Sequence, residues 1–295
     1  MAAPLSQPGI LAPCLPVGRS IAYRVATGAD PRAALTRLAQ RFTVECGVVG
    51  LSAPLVRLLG GEVPGLRVFP AMGGPGTIVP STQHALWVML RGADRSAIFD
   101  RSWTLTECIG AEFALADVRD TFVYSGGHDL TGYEDGTANP VDADAVAAAI
   151  LTEGPPGLAG SSFVAVQRWV HDLKHFHGHL PAECDAMIGR RRDTNEEIAD
   201  APPTAHVKMS AQETYDPPAF MLRRSMPWVD DFSQGLEFIA YGNSFDAYER
   251  VMRRMAGVDG SLTDGLFQFS RPVTGGYYWC PPVADGKLDL RLLGL

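Results

Sequence analysis

The stretch that most limits what this chain can fold into is residues 132–140, with the sequence GYEDGTANP. Two glycines, two acids, an Asn and a closing Pro disfavour both a helix interior and a central strand. The pattern predicts a tight loop, because glycine permits backbone geometry closed to other residues and lets the chain approach a ligand. Such a turn would hold the Asp135 carboxylate in a fixed direction. A plain surface turn with solvated acids is the alternative.

Composition places the chain among globular proteins. Of its 295 residues, 46% are hydrophobic and 20% are charged, and this length predicts about two domains. The net charge of −8 argues against nucleic acid as a partner, since phosphate binding needs clustered Lys and Arg. No apolar run is long enough to span a membrane, so we expect no membrane partner. Five scattered cysteines without a CxxC pair indicate free thiols and a cytoplasmic location.

The order of predicted elements indicates an α+β fold. Residues 1–150 and 151–295 each follow the order β-α-β-β-α-β, which predicts two ferredoxin-like units packed together. A GPPG linker at 154–157 supports a boundary near residue 150. We expect strands at 20–26, 48–51, 84–90, 122–124, 162–170, 205–209, 219–223, 236–241, 266–269 and 277–279. We expect helices from residue 30 and over 96–109, 172–192 and 245–255, an extended arm over 1–19 and a loop over 60–80.

Two features of the second half suggest chemistry. His206 follows a proline-bearing loop and enters the predicted strand 205–209, although a lone His is more often an ordinary surface or core residue. Arg223 and Arg224 lie in an apolar run that Pro227 ends. A buried Arg needs an acidic partner or an anionic ligand. The alternative is that one Arg faces solvent while the other pairs with a surface carboxylate.

Four histidines close together in sequence must be weighed as a metal site. His171 and His175 have the i, i+4 spacing that helix-borne ligands use. Gly178 then disfavours a continuous helix through His179, and no HExxH motif is present. We therefore expect these imidazoles and that of His177 to be solvated, and a metal site is the weaker interpretation.

In their order along the chain, these motifs resemble those of the dye-decolorizing peroxidases, and most of all those of the bacterial B-type branch. No single motif decides the matter, but their order and spacing agree over nearly the whole chain. The resemblance rests on residues 132–136, His206, 223–227, 235–241 and 272–278, with a further likeness at 7–10.

The resemblance implies a peroxidase that uses haem b, iron protoporphyrin IX, bound between the two halves or within the C-terminal half. It would reduce hydrogen peroxide and oxidise bulky aromatic, phenolic or dye-like donors through a high-valent iron intermediate. The alternative is a protein that binds or transfers haem with little turnover. The resemblance also implies a homo-oligomer. An encapsulating shell is a weaker partner hypothesis, which would require residues 287–295 to be a free tail rather than a packed last element.

The resemblance also assigns residues to roles. His206 would be the iron ligand, and Asp264 the acid bonded to its far ring nitrogen. Asp135 would be the distal acid and Arg223 its partner, which also reaches a haem propionate. Ser225 would be a small polar residue on the distal side. Further contacts to the haem would come from Glu134, Gly136, Thr137 and Phe238.

Two matters qualify these assignments. Ala138 stands where related proteins often have an acid, so manganese oxidation is not carried over. Electrons from large donors would need a route through aromatic residues, although core packing is the more ordinary role for each candidate. These candidates are Trp169, Trp228, Trp279, Tyr277 and Tyr278.

Overall fold

The computed structural model describes residues 6–260 and 262–295. The helices in these ranges are α1 Pro8–Leu11, α2 Arg32–Arg41, α3 Ala53–Leu58, α4 Arg95–Ile109, α5 Asp142–Ala149, α6 Leu173–Phe176, α7 Pro181–Ile188, α8 His206–Met209 and α9 Asp246–Met255. The strands are β1 Val17–Val25, β2 Gly47–Leu51, β3 Leu86–Gly92, β4 Phe113–Phe122, β5 Ser162–His171, β6 Leu222–Arg223, β7 Met226–Val229, β8 Gln234–Gly242, β9 Ser270–Pro272, β10 Gly276–Cys280, β11 Val283–Ala284 and β12 Lys287–Leu288.

The sheet repeats one topology in its two halves. Its path runs β4-β1-β3-β2-β10-β5-β8-β6, with β7 beside β8 and β9 beside β5. The first half contributes β4-β1-β3-β2 and the second half β10-β5-β8-β6. When the four strands of each half are numbered 1 to 4 in chain order, both sets have the order 4-1-3-2, and neighbours are antiparallel. This is the arrangement that a β-α-β-β-α-β unit forms. The predicted α+β fold with two ferredoxin-like units is therefore confirmed, while the division at residue 150 stays a prediction.

Strand β10 shows how the sheet is covered on both faces. Side chains alternate along a strand, so Tyr277 and Trp279 pack in one hydrophobic cluster while Tyr278 and Cys280 pack in another. The first cluster joins the sheet to α2, α4 and α9. The five aromatic residues considered as electron carriers are all buried in the structure. The position of each is thus compatible with ordinary core packing.

Two predicted strands are wrong. Residues 205–209 form the helical turn α8, in which Met209 N donates to Ala205 O at 3.0 Å. The run predicted over 266–269 falls on the 3-10 turn Gly265–Gln268, which ends at Phe269. The N–H of Leu266 in this turn donates to Asp264 Oδ1 at 2.8 Å. The two runs have five and four residues, lengths at which an apolar pattern does not separate strand from helix.

Other differences concern the extent of elements. The helix predicted over 172–192 is divided into α6 and α7 by Gly178 and Pro181, which disfavour a continuous helix. The strand predicted over 122–124 shares only Phe122 with β4. Sequence analysis misses the other nine residues of β4, because its half-exposed Ala and Asp residues carry a weak strand signal. The arm at the N-terminus includes the turn α1, and its residues 1–5 lie outside the described ranges. Near the other end, Leu290 and Leu293 are buried in the core.

Candidate active site

The loop of residues 125–140 is held in one conformation by its own backbone. Asp135 N donates to Gly127 O at 3.0 Å, and Asn139 N donates to Gly136 O at 3.0 Å. Gly132 and Gly136 have φ angles of 89° and 76°, a region that residues with a Cβ rarely adopt. The glycines of the motif are therefore required by the turn that presents Asp135.

Two side chains tie this loop to the second half of the chain. The Tyr133 hydroxyl donates to Asp185 Oδ1 at 2.5 Å. Asp129 Oδ2 lies 3.1 Å from His171 Nε2, while His171 Nδ1 lies 2.6 Å from Ser270 Oγ. His171 is only 6% exposed. The expectation of a solvated imidazole is thus wrong for His171, because the burial cost of its ring nitrogens is offset by two partners.

His206 is held by an acid 58 residues further along the chain. Its Nδ1 lies 2.9 Å from Asp264 Oδ2, and the Asp264 side chain is fully buried. Asp264 is fixed in turn by its bond from Leu266 N. Within residues 6–260 and 262–295, His206 Nε2 has no hydrogen-bond partner. The imidazole therefore presents an oriented, unpaired nitrogen, as metal-ligating histidines do.

Arg223 is positioned by a residue that sequence reasoning missed. Asn139 Oδ1 accepts from the Arg223 backbone N–H at 2.9 Å, and Asn139 Nδ2 donates to Arg223 O at 3.1 Å. The Asn lies at the end of the opening motif, but nothing in its spacing identifies a partner 84 residues away. These bonds join the Asp135 loop to strand β6, so the side chains of Asp135 and Arg223 are held in fixed positions relative to each other.

The two adjacent arginines have different surroundings. Arg224 donates to the carbonyl oxygens of Leu11 and Ala12, at 2.6 and 2.8 Å, and so fastens the N-terminal segment. In the described part of the chain, neither Arg223 nor Arg224 forms an ion pair with a carboxylate. The alternative of a solvated Arg beside a salt-bridged one is therefore wrong, and the Arg223 guanidinium remains available to an anion.

A single cleft brings several of the predicted residues together. It encloses about 690 Å³ of atom-free space, its open side included. Asp135, His206, Arg223 and Phe238 all line it. Its apolar wall is formed by Trp169, Met221, Leu236, Val251, Met252, Met255 and Leu266, and its polar lining by His171, Ser210, Gln212, Tyr248 and Ser270.

Other predicted residues lie outside that cleft. Glu134 is exposed and accepts from Asn195 Nδ2 at 2.8 Å, and Thr137 is exposed as well. Gly136 and Ser225 line a neighbouring channel, to which Asp135 and Arg223 also contribute. Ser225 Oγ accepts from Ile239 N at 3.3 Å. Asp135 and Arg223 thus lie where the channel and the cleft meet.

Burial controls the ionisation of the acids in this loop. It raises the pKa of Asp135 by more than Arg223 lowers it, and the nearby negative charge of Asp129 adds to the rise. The Asp135 side chain is accessible, but the space that it faces is walled by protein, which limits its hydration. Burial also disfavours ionised Asp129, but the bonds from His171 and Thr131 hold the pKa of that carboxyl below its usual value.

The remaining histidines of the cluster are at the surface. His175 Nε2 and His179 Nε2 lie 3.4 Å apart, and His179 Nδ1 is 3.4 Å from Glu183 Oε2. Among the residues that the structure describes, no group of three or more His, Cys, Asp or Glu side chains is arranged to hold a metal ion. No helix in the same ranges is long and apolar enough to cross a membrane.

Comparison with known proteins decides the family. The family model "Dyp-type peroxidase, C-terminal" matches residues 127–285, which include the Asp135 loop, His206, Arg223 and Asp264. The chain belongs to the Dyp-type peroxidases. The predictions of a peroxidase and of the dye-decolorizing family are thereby confirmed.

Relatives of this Dyp-type peroxidase are distant in sequence and close in structure. A dye-decolorizing peroxidase of Mycolicibacterium paratuberculosis is 29% identical over 234 residues, which cover 77% of this chain and 66% of the relative. A dye-decolorizing protein from V. cholerae has 25% identity and a TM-score of 0.85, with 97% of this chain and 98% of that chain covered. DypB from Rhodococcus jostii has 24% identity and a TM-score of 0.82, with 92% and 94% covered.

Proposed function

We propose that the protein is a haem peroxidase that reduces hydrogen peroxide and oxidises aromatic or phenolic donors. The observation that carries this proposal is the shared cleft, which is lined by an oriented, unpaired His206 Nε2 and by the side chains of Asp135 and Arg223. Haem is the cofactor of this family, and the prediction of a haem cofactor is confirmed by the family match. A variant of the Rhodococcus jostii DypB is itself described in complex with haem.

The residues of the cleft fit such a cofactor. A flat macrocycle requires apolar walls, which Leu236, Phe238 and Met252 supply. Its iron requires a basic nitrogen, which His206 Nε2 offers. Its propionates require donors, and the cleft supplies two. One is the Arg223 guanidinium, whose Nε donates a long bond of 3.5 Å to Asn139 Oδ1. The other is the Tyr248 hydroxyl, which is buried without a partner in the described ranges. A buried hydroxyl without a bond is costly, so a polar ligand group would relieve this cost.

Each of the polar residues has a distinct task in this proposal. Bound haem supplies the redox chemistry, and the protein supplies ligation, orientation and electrostatics. Asp135 accepts a proton from peroxide and returns it to the departing oxygen, directly or through one water. Arg223 stabilises the negative charge that develops on the peroxide oxygens. Asp264 accepts a hydrogen bond from the Nδ1–H of His206 and so raises the basicity of Nε2.

The assay of this function uses the haem-loaded protein, peroxide and a phenolic donor such as guaiacol. We expect donor oxidation that requires both haem and peroxide, with about one peroxide consumed per two donor molecules. Oxidation at the rate of free haem alone would contradict the proposal.

The pH dependence of peroxide reduction should report the ionisation of the Asp135 carboxyl. The working form of this residue is the carboxylate, so its activity is lost as the pH falls through its raised pKa. The acid limb of kcat/KM for peroxide should therefore lie above the ordinary carboxyl range. Asp135→Asn should abolish or displace that limb and lower the rate by about 10²–10⁴-fold. An identical acid limb in the variant would assign it to another group.

The hydrogen bond that Asp264 accepts from His206 Nδ1 should lower the reduction potential of the haem iron. Asp264→Asn removes the negative charge behind the imidazole while it keeps a side chain of similar size. We expect a higher Fe(III)/Fe(II) reduction potential and a peroxide reaction slower by about 10–100-fold. Redox titration followed by absorbance provides the measurement. An unchanged potential with intact haem binding would mean that Asp264 serves only to cap its turn.

The setting of the enzyme completes the proposal. Five free cysteines and no disulfide in the described ranges support a cytoplasmic location. We keep the expectation of a homo-oligomer. The buried Leu290 and Leu293 support a packed last element rather than a tail that docks in a shell.

A further inference from the structure

Two surface histidines form a close pair where α6 leads into α7. His175 Nε2 and His179 Nε2 lie 3.4 Å apart, and their ring planes are inclined at 84°. Two nitrogens that bind one Zn²⁺ at about 2.0–2.1 Å with tetrahedral angles are about 3.4 Å apart. A square-planar ion requires neighbouring nitrogens at about 2.9 Å. The separation within this pair therefore suits a tetrahedral ion.

A carboxylate behind one of the rings determines which of its nitrogens is free. His179 Nδ1 lies 3.4 Å from Glu183 Oε2. The same oxygen accepts from Leu180 N at 2.8 Å, so the first turn of α7 holds the carboxylate in place. A carboxylate at Nδ1 favours the tautomer with its proton on that nitrogen, which leaves a lone pair on Nε2. Histidines that bind zinc are commonly oriented by a carboxylate in this way.

The contact between the two rings is weak without an ion. When His179 carries its proton on Nδ1, His175 must supply the N–H between the two Nε2 atoms. At 3.4 Å, this contact is longer than the usual N–H hydrogen bond. A divalent ion accepts the lone pairs of both neutral imidazoles and requires no proton between them.

The backbone holds both histidines in position. Asp172 Oδ1 accepts from His175 N at 2.9 Å, and His179 N donates to Phe176 O at 3.2 Å. Phe176 lies between the two histidines in sequence and is fully buried, with its ring centroid 4.3 Å from that of Phe269. Little backbone freedom is therefore lost when both imidazoles bind one ion, and this favours affinity.

The pair is open to solvent and can exchange ions. His175 is exposed, and 30% of the His179 side chain is exposed. Within residues 6–260 and 262–295, no group of three His, Cys, Asp or Glu side chains could hold a metal ion. Water would therefore fill the remaining positions around an ion, in contrast to the closed sites of structural zinc.

We propose that His175 and His179 bind one divalent transition-metal ion, and that Zn²⁺ fits the pair best. Glu183 orients His179 and does not itself bind the ion. The i, i+4 spacing alone did not favour a metal site, whereas the distances among these three side chains do. Imidazole nitrogen selects such ions over Mg²⁺ and Ca²⁺, which prefer oxygen ligands. Neither histidine lines the cleft, so the site does not depend on the peroxidase function.

A bound ion would stabilise the support of the Asp135 loop. It would tie α6 to the segment that leads into α7. From α6, the Phe176 ring packs against Tyr133 of the loop, with centroids 6.2 Å apart and planes at 72°. An ion that binds only the folded chain raises its stability. Zn²⁺ should therefore raise the midpoint of thermal unfolding.

Titration calorimetry of the haem-loaded protein with Zn²⁺, without an affinity tag, tests the proposal. We expect a single site per chain and no binding of Mg²⁺. His175→Ala and His179→Ala should each weaken Zn²⁺ binding by about tenfold or more, since each removes a ligand. His177→Ala is the matched control, because it removes the exposed imidazole between them and should leave the affinity unchanged.

The role of Glu183 has its own variant. Glu183→Gln keeps an oxygen that can accept from Leu180 N but removes the negative charge beside His179. It should weaken Zn²⁺ binding by about tenfold, the usual cost of losing a group that orients a metal ligand. Glu153→Gln, at an exposed acid elsewhere, should match the unmodified protein. Zn²⁺ should raise the unfolding midpoint of His177→Ala but not that of His175→Ala.

Three results would overturn the site. One is the absence of Zn²⁺ binding to the unmodified protein. Another is binding that survives both His175→Ala and His179→Ala, which would show adventitious binding elsewhere on the surface. The third is an equal loss in His177→Ala. Full affinity in Glu183→Gln would refute the orienting role of that carboxylate.

Discussion

His206→Ala is expected to lose the native haem spectrum and to reduce peroxidase activity to the level of free haem. The reason is geometric: His206 Nε2 is unpaired in the cleft, and its ring is fixed by the 2.9 Å contact with Asp264. Removing the imidazole removes the iron ligand that this pair orients. The measurement is the absorbance spectrum and haem content after reconstitution, followed by a donor oxidation assay.

Two controls make the His206 result specific. His177→Ala removes an exposed imidazole in another part of the chain and should bind haem normally. Added imidazole should restore part of the spectrum of His206→Ala, because it can enter the space that the side chain leaves. A native spectrum in His206→Ala without added imidazole would refute the ligand assignment.

Arg223→Leu is expected to slow the reaction with peroxide by about 10²–10³-fold, the usual cost of losing a donor that stabilises transition-state charge. Asn139 binds the backbone of residue 223, so it can hold the strand in place when the guanidinium is gone. The measurement is the second-order rate constant for the change in haem absorbance after mixing with peroxide. Arg223→Lys keeps the charge but not the planar donors, so its rate constant should lie between those of the unmodified protein and of Arg223→Leu.

Comparison of Arg223→Leu with Asp135→Asn determines which contribution is larger. A greater loss in the Arg variant would make charge stabilisation the main effect. A greater loss in the Asp variant would make proton transfer the main effect. Wild-type rates in Arg223→Leu would contradict its role in the reaction with peroxide.

The sequence predicted much of the fold because its strands are strongly patterned. The apolar runs at 162–170, 236–241 and 277–279 placed β5, β8 and β10 correctly, and the order of elements along the chain indicated two β-α-β-β-α-β units. Strand β4 was largely missed because it is half exposed. The strand predicted around His206 was wrong because a short apolar run is compatible with either element, and the fold selected a helical turn.

Sequence analysis names several residues that the structure brings to one cleft, together with the His206–Asp264 contact, but it misses the partners of Arg223 and His171. Glycine and proline in residues 132–140 identified the loop that presents Asp135, since few other structures accept that composition. By contrast, Asn139 meets Arg223 across 84 residues, and His171 meets Asp129 across 42. Such contacts depend on the packing of the two halves, and no local spacing specifies them. For the same reason His171 was expected in solvent although it is buried beside the cleft.

The most direct test of the central claim is a stopped-flow absorbance record of the haem-loaded protein mixed with one equivalent of hydrogen peroxide. The arrangement of His206, Asp135 and Arg223 around one cleft predicts a fast loss and shift of the Soret band, which an added phenolic donor reverses. An unchanged spectrum with haem clearly bound would contradict the account. It would indicate a protein that binds haem without turnover, in which Asp135 and Arg223 serve only the structure.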